Sequence, residues 1–224
     1  MDIRQRLKSW NRDKWERKNH AMYTVHGENR WPWFNDRLDP DIEEFFRERN
    51  LLQLDILDLG TCSGSQAMEL ARRGHRLVGT DISETAIKQA KLALGGEQGL
   101  QIEFLLDDIS ASNLSENRFD IVLDRGCYHS ICMFNHYEYV ASIKRILRPD
   151  GTLLLKIMSS EEERFVNYDK FGDKLIQMPY HFEKKQILDL ISPHFGIEEI
   201  RDSFFYSSVF DPPAKARFLI VRNT

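Results

Sequence analysis

Residues 57–81, "LDLGTCSGSQAMELARRGHRLVGTD", constrain the fold of this chain more than any other stretch. An apolar run ends in small residues, an amphipathic segment follows, and a second apolar run ends on an acid. This order is typical of a buried strand, a glycine-containing turn, a helix and a second strand. Backbone N–H groups at the start of such a helix face a crevice at the carboxyl edge of the sheet. The stretch therefore predicts a ligand site at that edge.

Periodicity along the rest of the chain predicts an α/β fold, because compact apolar runs alternate with helical stripes. Ser83 is a predicted N-cap, and Gly95-Gly96 ends the helix that follows it. The polar stretch 159–177 and the segment around 211–213 are predicted surface loops. The predicted strands are 53–59, 76–80, 101–106, 119–123, 152–158, 197–203 and 217–221, and the predicted helices are 63–73, 84–94, 134–147 and 183–192.

Charge and cysteine content exclude several classes of protein. Lys and Arg number 31 against 35 Asp and Glu, so the composition argues against a nucleic-acid or anionic-membrane partner. The three cysteines form no CxxC pair, which favours reduced thiols without a disulfide framework or a metal site. No stretch approaches 18 apolar residues, and residues 1–20 are charged throughout, so we expect a cytoplasmic protein without a membrane span.

The acid at the end of the opening stretch indicates the kind of ligand. Asp81 follows the glycine loop by about 20 residues, the offset at which a carboxylate accepts hydrogen bonds from ribose hydroxyls. The loop has glycines only at 60 and 64, which does not fit the G-x-G-x-x-G of dinucleotide sites, and the chain has no P-loop motif. Among common nucleoside cofactors, S-adenosylmethionine remains.

Four segments resemble the motifs of class I S-adenosylmethionine-dependent methyltransferases: "DLGTCSGS", "VGTDIS", "LLDDIS" and "FDIVLDRGCYHSI". The resemblance is strong over residues 52–158. "DRGCYHSI" is similar to a narrower set, the thiopurine methyltransferase-like and tellurite-resistance-like small-molecule enzymes. The resemblance implies a Rossmann-like, seven-stranded sheet with helices on both faces. It also implies methyl transfer from S-adenosyl-L-methionine to an S, N or O nucleophile of a small molecule.

The same resemblance implies roles for individual residues. Asp58 would orient the cofactor ammonium, Asp81 would take the ribose, and Asp108 with the Ile109 N–H would recognise adenine. Cys62 stands where the family usually has its middle glycine; we expect it to be tolerated with a negative φ, and its thiol to be packed rather than redox-active. The full set of predicted cofactor residues is Asp58, Gly60, Thr61, Cys62, Gly64, Asp81, Ile82, Asp108, Ile109, Asp124 and Arg125.

The methyl acceptor is expected next to the segment after Asp124. His129 is the candidate catalytic residue, as a general base for a hydroxyl or amine, with a structural histidine bonded to backbone as the alternative. An aromatic-rich N-terminal segment that includes Trp10, Trp15 and Phe34 predicts a lid, although Trp10 and Trp15 could instead pack a helix onto the sheet. Residues lining the acceptor pocket are predicted to be Tyr23, His26, Trp33, Tyr128 and Tyr180.

Domain organisation and alternative functions complete the prediction. Residues 1–224 are expected to form a single methyltransferase domain, with a helical lid at 1–50 and a catalytic core at 51–224, as a monomer or homodimer. Alternatives are a protein or RNA substrate, a cofactor-binding partner without catalysis, and a polyamine synthase of the same fold. A polyamine site would gather carboxylates, which the run 161–163 could supply, although a solvated helix start explains that run more simply.

Overall fold

The computed structural model describes residues 3–25, 34–207 and 210–224. After two initial helices, strands and helices alternate up to the third strand, and the later part of the chain is richer in strands. The helices are α1 Ile3–Val25, α2 Pro40–Arg49, α3 Ser65–Arg72, α4 Glu84–Leu94, α5 Cys132–Ile146 and α6 Lys184–Ile191. The strands are β1 Asp55–Leu59, β2 Arg76–Asp81, β3 Ile102–Leu106, β4 Phe119–Arg125, β5 Leu147–Met158, β6 Tyr168–Phe171, β7 Lys174–Gln177, β8 Gly196–Phe205 and β9 Ala214–Arg222.

Seven of the strands form one mixed sheet in the order β3-β2-β1-β4-β5-β9-β8. Strands β1 to β5 pair in parallel, whereas β9 runs antiparallel to both β5 and β8. The strand order reverses at β1, which lies between β2 and β4. In open α/β sheets a crevice forms at such a reversal, outside the carboxyl ends of the strands.

Helices cover both faces of the sheet, as predicted. Successive side chains along β5 point to opposite faces of the sheet. Leu153 and Leu155 belong to the apolar cluster that includes α5 and α6, and Leu154 belongs to the cluster that includes α2, α3 and α4. Both clusters are made of fully buried side chains, and strands buried on both faces read as continuous apolar runs. Burial on both faces explains why the central strands could be predicted from the sequence.

The seven predicted strands are all present in the sheet, with ends that differ by a few residues. The prediction of a loop over 159–177 is wrong, because this stretch contains the antiparallel hairpin β6–β7. Its strands are only four residues long and largely exposed, so no apolar alternation marks them. Helix α2 was not predicted separately from the lid. The division into a lid at 1–50 and a core at 51–224 stays a prediction.

Helix α1 lies over the carboxyl edge of the sheet and is held there by polar contacts. Lys8 Nζ donates to the carbonyl of Ser110, 3.0 Å away. The Glu16 carboxylate accepts from Ser83 Oγ at 2.6 Å and from Thr85, at the start of α4. Lys14 forms a 2.5 Å ion pair with Asp169 on β6. No helix within the described residues combines the length and apolar character needed to cross a membrane.

Candidate functional site

The loop Gly60–Gly64 joins β1 to α3 in a tightly fixed conformation. Gly60 and Gly64 have φ of 68° and 80°, which favours glycine. A Cβ added to Gly64 would lie 2.5 Å from Phe104 Cζ, so a larger residue does not fit. The Thr61 N–H donates to Thr80 O at 2.8 Å, and its hydroxyl donates to Asp58 Oδ2 at 2.6 Å. These bonds attach the loop to both β2 and β1.

Cys62 departs from the prediction, because its φ is +55° rather than negative. The loop requires a left-handed residue here, at a cost of about 1–2 kcal/mol for a residue with a side chain. Local bonds offset that cost. The Cys62 N–H donates to Asp81 Oδ2 at 3.1 Å. The Tyr23 hydroxyl lies close to Cys62 and Ser63, and burial raises the Tyr23 pKa.

Acids stand at the carboxyl ends of β1 and β2. Removal from water raises the pKa of Asp58 and of Asp81 to about 6 in each case. Each Asp81 oxygen accepts one backbone N–H: Oδ2 from Cys62, and Oδ1 from Ser83 at 2.9 Å. A carboxylate offers about four acceptor positions, so Asp81 keeps about two for a ligand. That capacity suits the two neighbouring hydroxyls of a ribose.

Two further acids follow β3. Asp108 Oδ1 accepts from Ser110 N at 2.9 Å and Ser110 Oγ at 2.7 Å, so Asp108 caps the short 3-10 turn Ile109–Ala111. Its second oxygen takes no part in these bonds and is available to a ligand. Asp107, which was not predicted as a site residue, has a buried Oδ2 without a hydrogen-bond partner among the described residues.

Asp124, at the end of β4, has a structural role. Its carboxylate accepts from the backbone N–H groups of Gly126, Cys127 and Tyr128 and from the Tyr139 hydroxyl at 2.8 Å. Burial raises its pKa to about 7. It does not line the cavities of about 40 and 280 Å³ at this edge of the sheet, and its contact with the cofactor stays a prediction. The carboxylate instead shapes the turn that carries His129.

Arg125 faces the ligand side. It lines a small cavity of about 40 Å³ together with Asp58, Gly60 and Gln66. Its Nε donates to Asp39 Oδ2 at 2.9 Å, and Lys156 Nζ lies 2.5 Å from Asp39 Oδ1. Asp39 is the N-cap of α2, so these bonds link α2 to the ends of β4 and β5.

A larger cavity of about 280 Å³ opens between α1 and the ends of the strands. One end is polar, because three aspartates at the ends of β2 and β3 line it together with two isoleucines. The other end is mainly apolar. The polar end holds Asp81, Ile82, Asp107, Asp108 and Ile109; the α1 side holds Asn11, Trp15, Lys18 and Asn19; the apolar end includes His129, Ser130, Met158, Phe165, Asn167, Met178, Pro179, Phe205 and Phe210.

His129 lines the cavity, and a main-chain N–H occupies one nitrogen of its ring. Its Nδ1 accepts the Met158 N–H at 3.0 Å, so in the neutral ring the proton is on Nε2. Burial, with smaller effects of His181 and Arg125, lowers the His129 pKa to about 3. A neutral ring whose acceptor nitrogen is already bonded cannot readily take a proton. This geometry fits the alternative of a structural histidine bonded to backbone, and it leaves a hydrogen-bond donor at Nε2. The role of His129 in catalysis stays a prediction.

The predicted acceptor residues are mostly elsewhere. Tyr128 is fully buried, with its hydroxyl 2.6 Å from His136 Nδ1. Tyr180 packs on Phe182, and its hydroxyl accepts from Gln186. Tyr23, like these two, does not line the cavity. His26 and Trp33 lie outside the described residues. Of the predicted cofactor residues, Gly64 acts through the fold of the loop and also lines neither cavity.

Sequence reasoning named Trp15 as part of the lid, but it missed Asn11, Lys18 and Asn19 beside it on α1 and most of the apolar end. Asn11, Trp15, Lys18 and Asn19 follow a helical spacing of four, seven and eight residues, so a helical projection could have grouped them. Phe165 and Met178 flank the hairpin β6–β7, whereas Phe205 and Phe210 lie at and just after the end of β8. They meet only because β6–β7 and the end of β8 fold over the same edge of the sheet.

Comparison with known proteins identifies the family. A sequence family described as "Methyltransferase domain" matches residues 57–155. An uncharacterised methyltransferase of Schizosaccharomyces pombe is 37% identical over 115 residues, which are 49% of this chain and 79% of that protein. The 2-heptyl-1-hydroxyquinolin-4(1H)-one methyltransferase of Mycobacteroides abscessus is 26% identical over 179 residues, covering 79% of this chain and 74% of that protein.

Solved structures share the fold. The 1,6-didemethyltoxoflavin-N1-methyltransferase of Burkholderia thailandensis, solved with 1,6-didemethyltoxoflavin and S-adenosylhomocysteine bound, superposes with a TM-score of 0.73 at 17% identity. The superposition covers 100% of this chain and 92% of that structure. The strand order, the glycine loop and the acid-tipped strands described above agree with this family. The chain belongs to the class I S-adenosylmethionine-dependent methyltransferases and is an enzyme that uses S-adenosylmethionine as its cofactor.

Proposed function

We propose that this enzyme methylates a small, largely apolar acceptor that binds at the apolar end of the 280 Å³ cavity. The observation that carries the proposal is the distribution of charge in this cavity. Among the described residues that line it, the carboxylates are Asp81, Asp107 and Asp108, and all three follow β2 or β3 at the opposite end. Methionine and phenylalanine side chains surround the acceptor position, which suits a flat, largely apolar molecule.

The placement of the cofactor follows from the same residues. We place the adenosine between Asp81 and Asp108, with the ribose on Asp81 and Ile82 against the base. The amino-acid part would lie by Gly60, where Arg125 can pair with its carboxylate and Asp58 can take its ammonium group. A Cβ at Gly60 would come within 3.1 Å of Cys127 Cβ, so the main chain there leaves no room for a side chain. When bound, S-adenosylmethionine supplies an electrophilic methyl group.

The protein's own contribution is alignment and exclusion of water. Helix α1 and the hairpin β6–β7 cover the cavity, and the Lys14–Asp169 pair and a Trp10 Nε1 bond to Lys170 O at 3.1 Å hold them together. His129 Nε2 can donate to a polar atom of the acceptor and so fix its orientation. Because His129 is neutral and donates, the nucleophile must reach the site already ionised or without a proton to lose.

Other acceptor classes fit less well. A lysine side chain or a polyamine would need a carboxylate near the methyl group. Glu161 is paired with Arg217, and Glu162 accepts from Arg164 and from the Lys215 N–H. Neither acid lines the cavity. A protein or RNA substrate would have to insert a group beneath α1. These contacts support the small-molecule proposal.

An acceptor screen tests this proposal. The enzyme is incubated with S-adenosylmethionine carrying a labelled methyl group and with one of three probes: a 2-alkyl-1-hydroxyquinolin-4(1H)-one, spermidine, or a lysine-containing peptide. We expect label transfer to the quinolone, detected by mass spectrometry as one added CH₂, and none to the two cations. Transfer to spermidine or the peptide, with none to the quinolone, would contradict an apolar acceptor.

The role of His129 is tested by two substitutions that separate its nitrogens. His129→Asn keeps an acceptor for the Met158 N–H but removes the Nε2 donor, whereas His129→Gln keeps a donor near the Nε2 position. We expect kcat/KM to fall about 10-fold in the Asn variant, which corresponds to one lost hydrogen bond, and to stay within about 3-fold in the Gln variant.

The pH profile provides the second readout for His129. A pKa of about 3 keeps the ring neutral as the pH rises from 5 to 9, so the wild type and both variants should have parallel profiles. A general base would instead give the wild type a limb near the ordinary histidine pKa of about 6.5, absent from both variants. A limb of this kind would show that His129 acts as a general base and would contradict its role as a hydrogen-bond donor.

A further inference from the structure

The side chain of Asn11, on the cavity face of α1, is a buried polar group that the described contacts leave unexplained. Asn11 is only 6% exposed. Its Oδ1 has no hydrogen-bond partner among the described residues. Leaving a buried amide oxygen without a donor costs roughly 1–3 kcal/mol, so such groups in native proteins require an explanation. Because Asn11 lines the 280 Å³ cavity, a ligand in that cavity can supply the missing donor.

Two anchors of α1 define where Asn11 lies. Lys8, one turn earlier, donates to the Ser110 carbonyl in the 3-10 turn after β3. Glu16, five residues later, accepts from Ser83 at the start of α4, directly after β2. Asn11 is therefore held between the carboxyl ends of β2 and β3, above the polar end of the cavity. Asp107 lines the same end, and its Oδ2 also has no donor among the described residues.

We infer that Asn11 recognises the adenine of the cofactor, through paired hydrogen bonds to the exocyclic amine and N7. This inference rests on the proposed position of the adenosine between Asp81 and Asp108. The buried Asn11 oxygen without a donor requires a ligand that carries an N–H group, and the exocyclic amine has one on its N7 side. An asparagine amide matches adenine at this edge, because its oxygen accepts from N6 and its nitrogen donates to N7. The second N–H of the amine, on the N1 side, remains for the Asp108 carboxylate, and N1 itself remains for the Ile109 N–H.

The consequence is that α1 belongs to the cofactor site. The cofactor would then be read by three segments: the end of β2, the turn after β3 and the helix above them. Recognition of both edges of the base would favour adenine over purines that lack either N7 or the amine.

The experiment measures S-adenosylhomocysteine and its 7-deaza analogue by titration calorimetry against the wild type, Asn11→Leu and Gln5→Ala. Gln5 is an exposed amide on the same helix and serves as the matched control. We expect Asn11→Leu to bind S-adenosylhomocysteine about 10- to 100-fold more weakly. The 7-deaza analogue should bind more weakly than S-adenosylhomocysteine to the wild type and to Gln5→Ala, but equally to Asn11→Leu.

A stability measurement separates recognition from a structural role. Leucine replaces an unsatisfied amide with an apolar group of similar shape, so the Tm of ligand-free Asn11→Leu should equal or exceed that of the wild type, while the Tm rise caused by S-adenosylhomocysteine should shrink. A lower Tm without ligand, unchanged affinity, or an equal loss for both ligands would overturn the inference. Weaker binding by Asp81→Asn alongside unchanged binding by Asn11→Leu would overturn only the role of Asn11. Unchanged binding by both variants would overturn the placement of the adenosine as well.

Discussion

Deleting residues 1–25 should lower the methyl-transfer rate by about 10²-fold or more while leaving a folded sheet. The deletion removes one wall of the 280 Å³ cavity and the contacts of Lys14 and Trp10 that hold the hairpin β6–β7. Loss of alignment and entry of water at a reacting centre have effects of this size. The measurement is single-turnover transfer of a labelled methyl group to an acceptor identified in the screen.

Folding of the truncated protein is expected because α1 contributes little to the core. None of the described residues in the three apolar clusters belongs to α1, which is attached by charged and polar side chains. Circular dichroism and cooperative thermal unfolding would establish that the sheet is intact. Full-length Gln5→Ala is the activity control. A truncated protein that folds and transfers methyl at the full rate would show that α1 is not a lid.

Asp81→Ala should weaken binding of S-adenosylhomocysteine by about 1.5–3 kcal/mol, or roughly 10- to 150-fold, through loss of ribose hydrogen bonds to a charged acceptor. The effect should depend on pH. The Asp81 pKa is raised to about 6, so the carboxyl group becomes ionised, and a better acceptor, as the pH rises through 6. The ratio of dissociation constants, variant over wild type, should therefore grow between pH 5 and 7 and level off above pH 7.

In this ratio the effects of other titrating groups on binding cancel, including the effect of Asp58, whose pKa is also raised to about 6. Glu116→Ala changes an exposed acid and is the matched control. Asp81 also accepts the N–H groups of Cys62 and Ser83, so Asp81→Asn, which keeps the shape, is measured beside the alanine variant. If folded Asp81→Ala bound S-adenosylhomocysteine with unchanged affinity at pH 7.5, the ribose would not be bound by Asp81.

The order of elements was accessible from the sequence because it depends on local signals. Central strands such as 152–158 are buried on both faces and form continuous apolar runs, and Ser83 is observed as the N-cap of α4, with its side chain accepting from Ala86 N–H. Placing Asp81 at a strand end required only the spacing from the glycine loop. Parallel strands bring their carboxyl ends to one edge, so the cluster of acids there was predictable.

The sequence did not reveal contacts between distant segments. The Met158 N–H donates to the ring nitrogen of His129 that a general base would use, and Met158 is 29 positions away on the neighbouring strand. Asp124 turned inward because the turn after it presents three N–H groups to one carboxylate, and Tyr128 was drawn into the core against Phe182. No local pattern encodes these partners. Hairpin β6–β7 escaped prediction since its exposed strands have no apolar face to mark them.

The left-handed conformation of Cys62 has an evolutionary consequence. Glycine would relieve the backbone strain at this position, yet it would also remove the thiol that the Tyr23 hydroxyl contacts. Losing that contact would leave a buried phenol with one partner fewer at the end of α1. Substitution of Cys62 by glycine would therefore relieve strain in the loop but weaken the attachment of α1 above it. The two positions should be substituted together in descendants of this protein, and a change at either one alone should be rare.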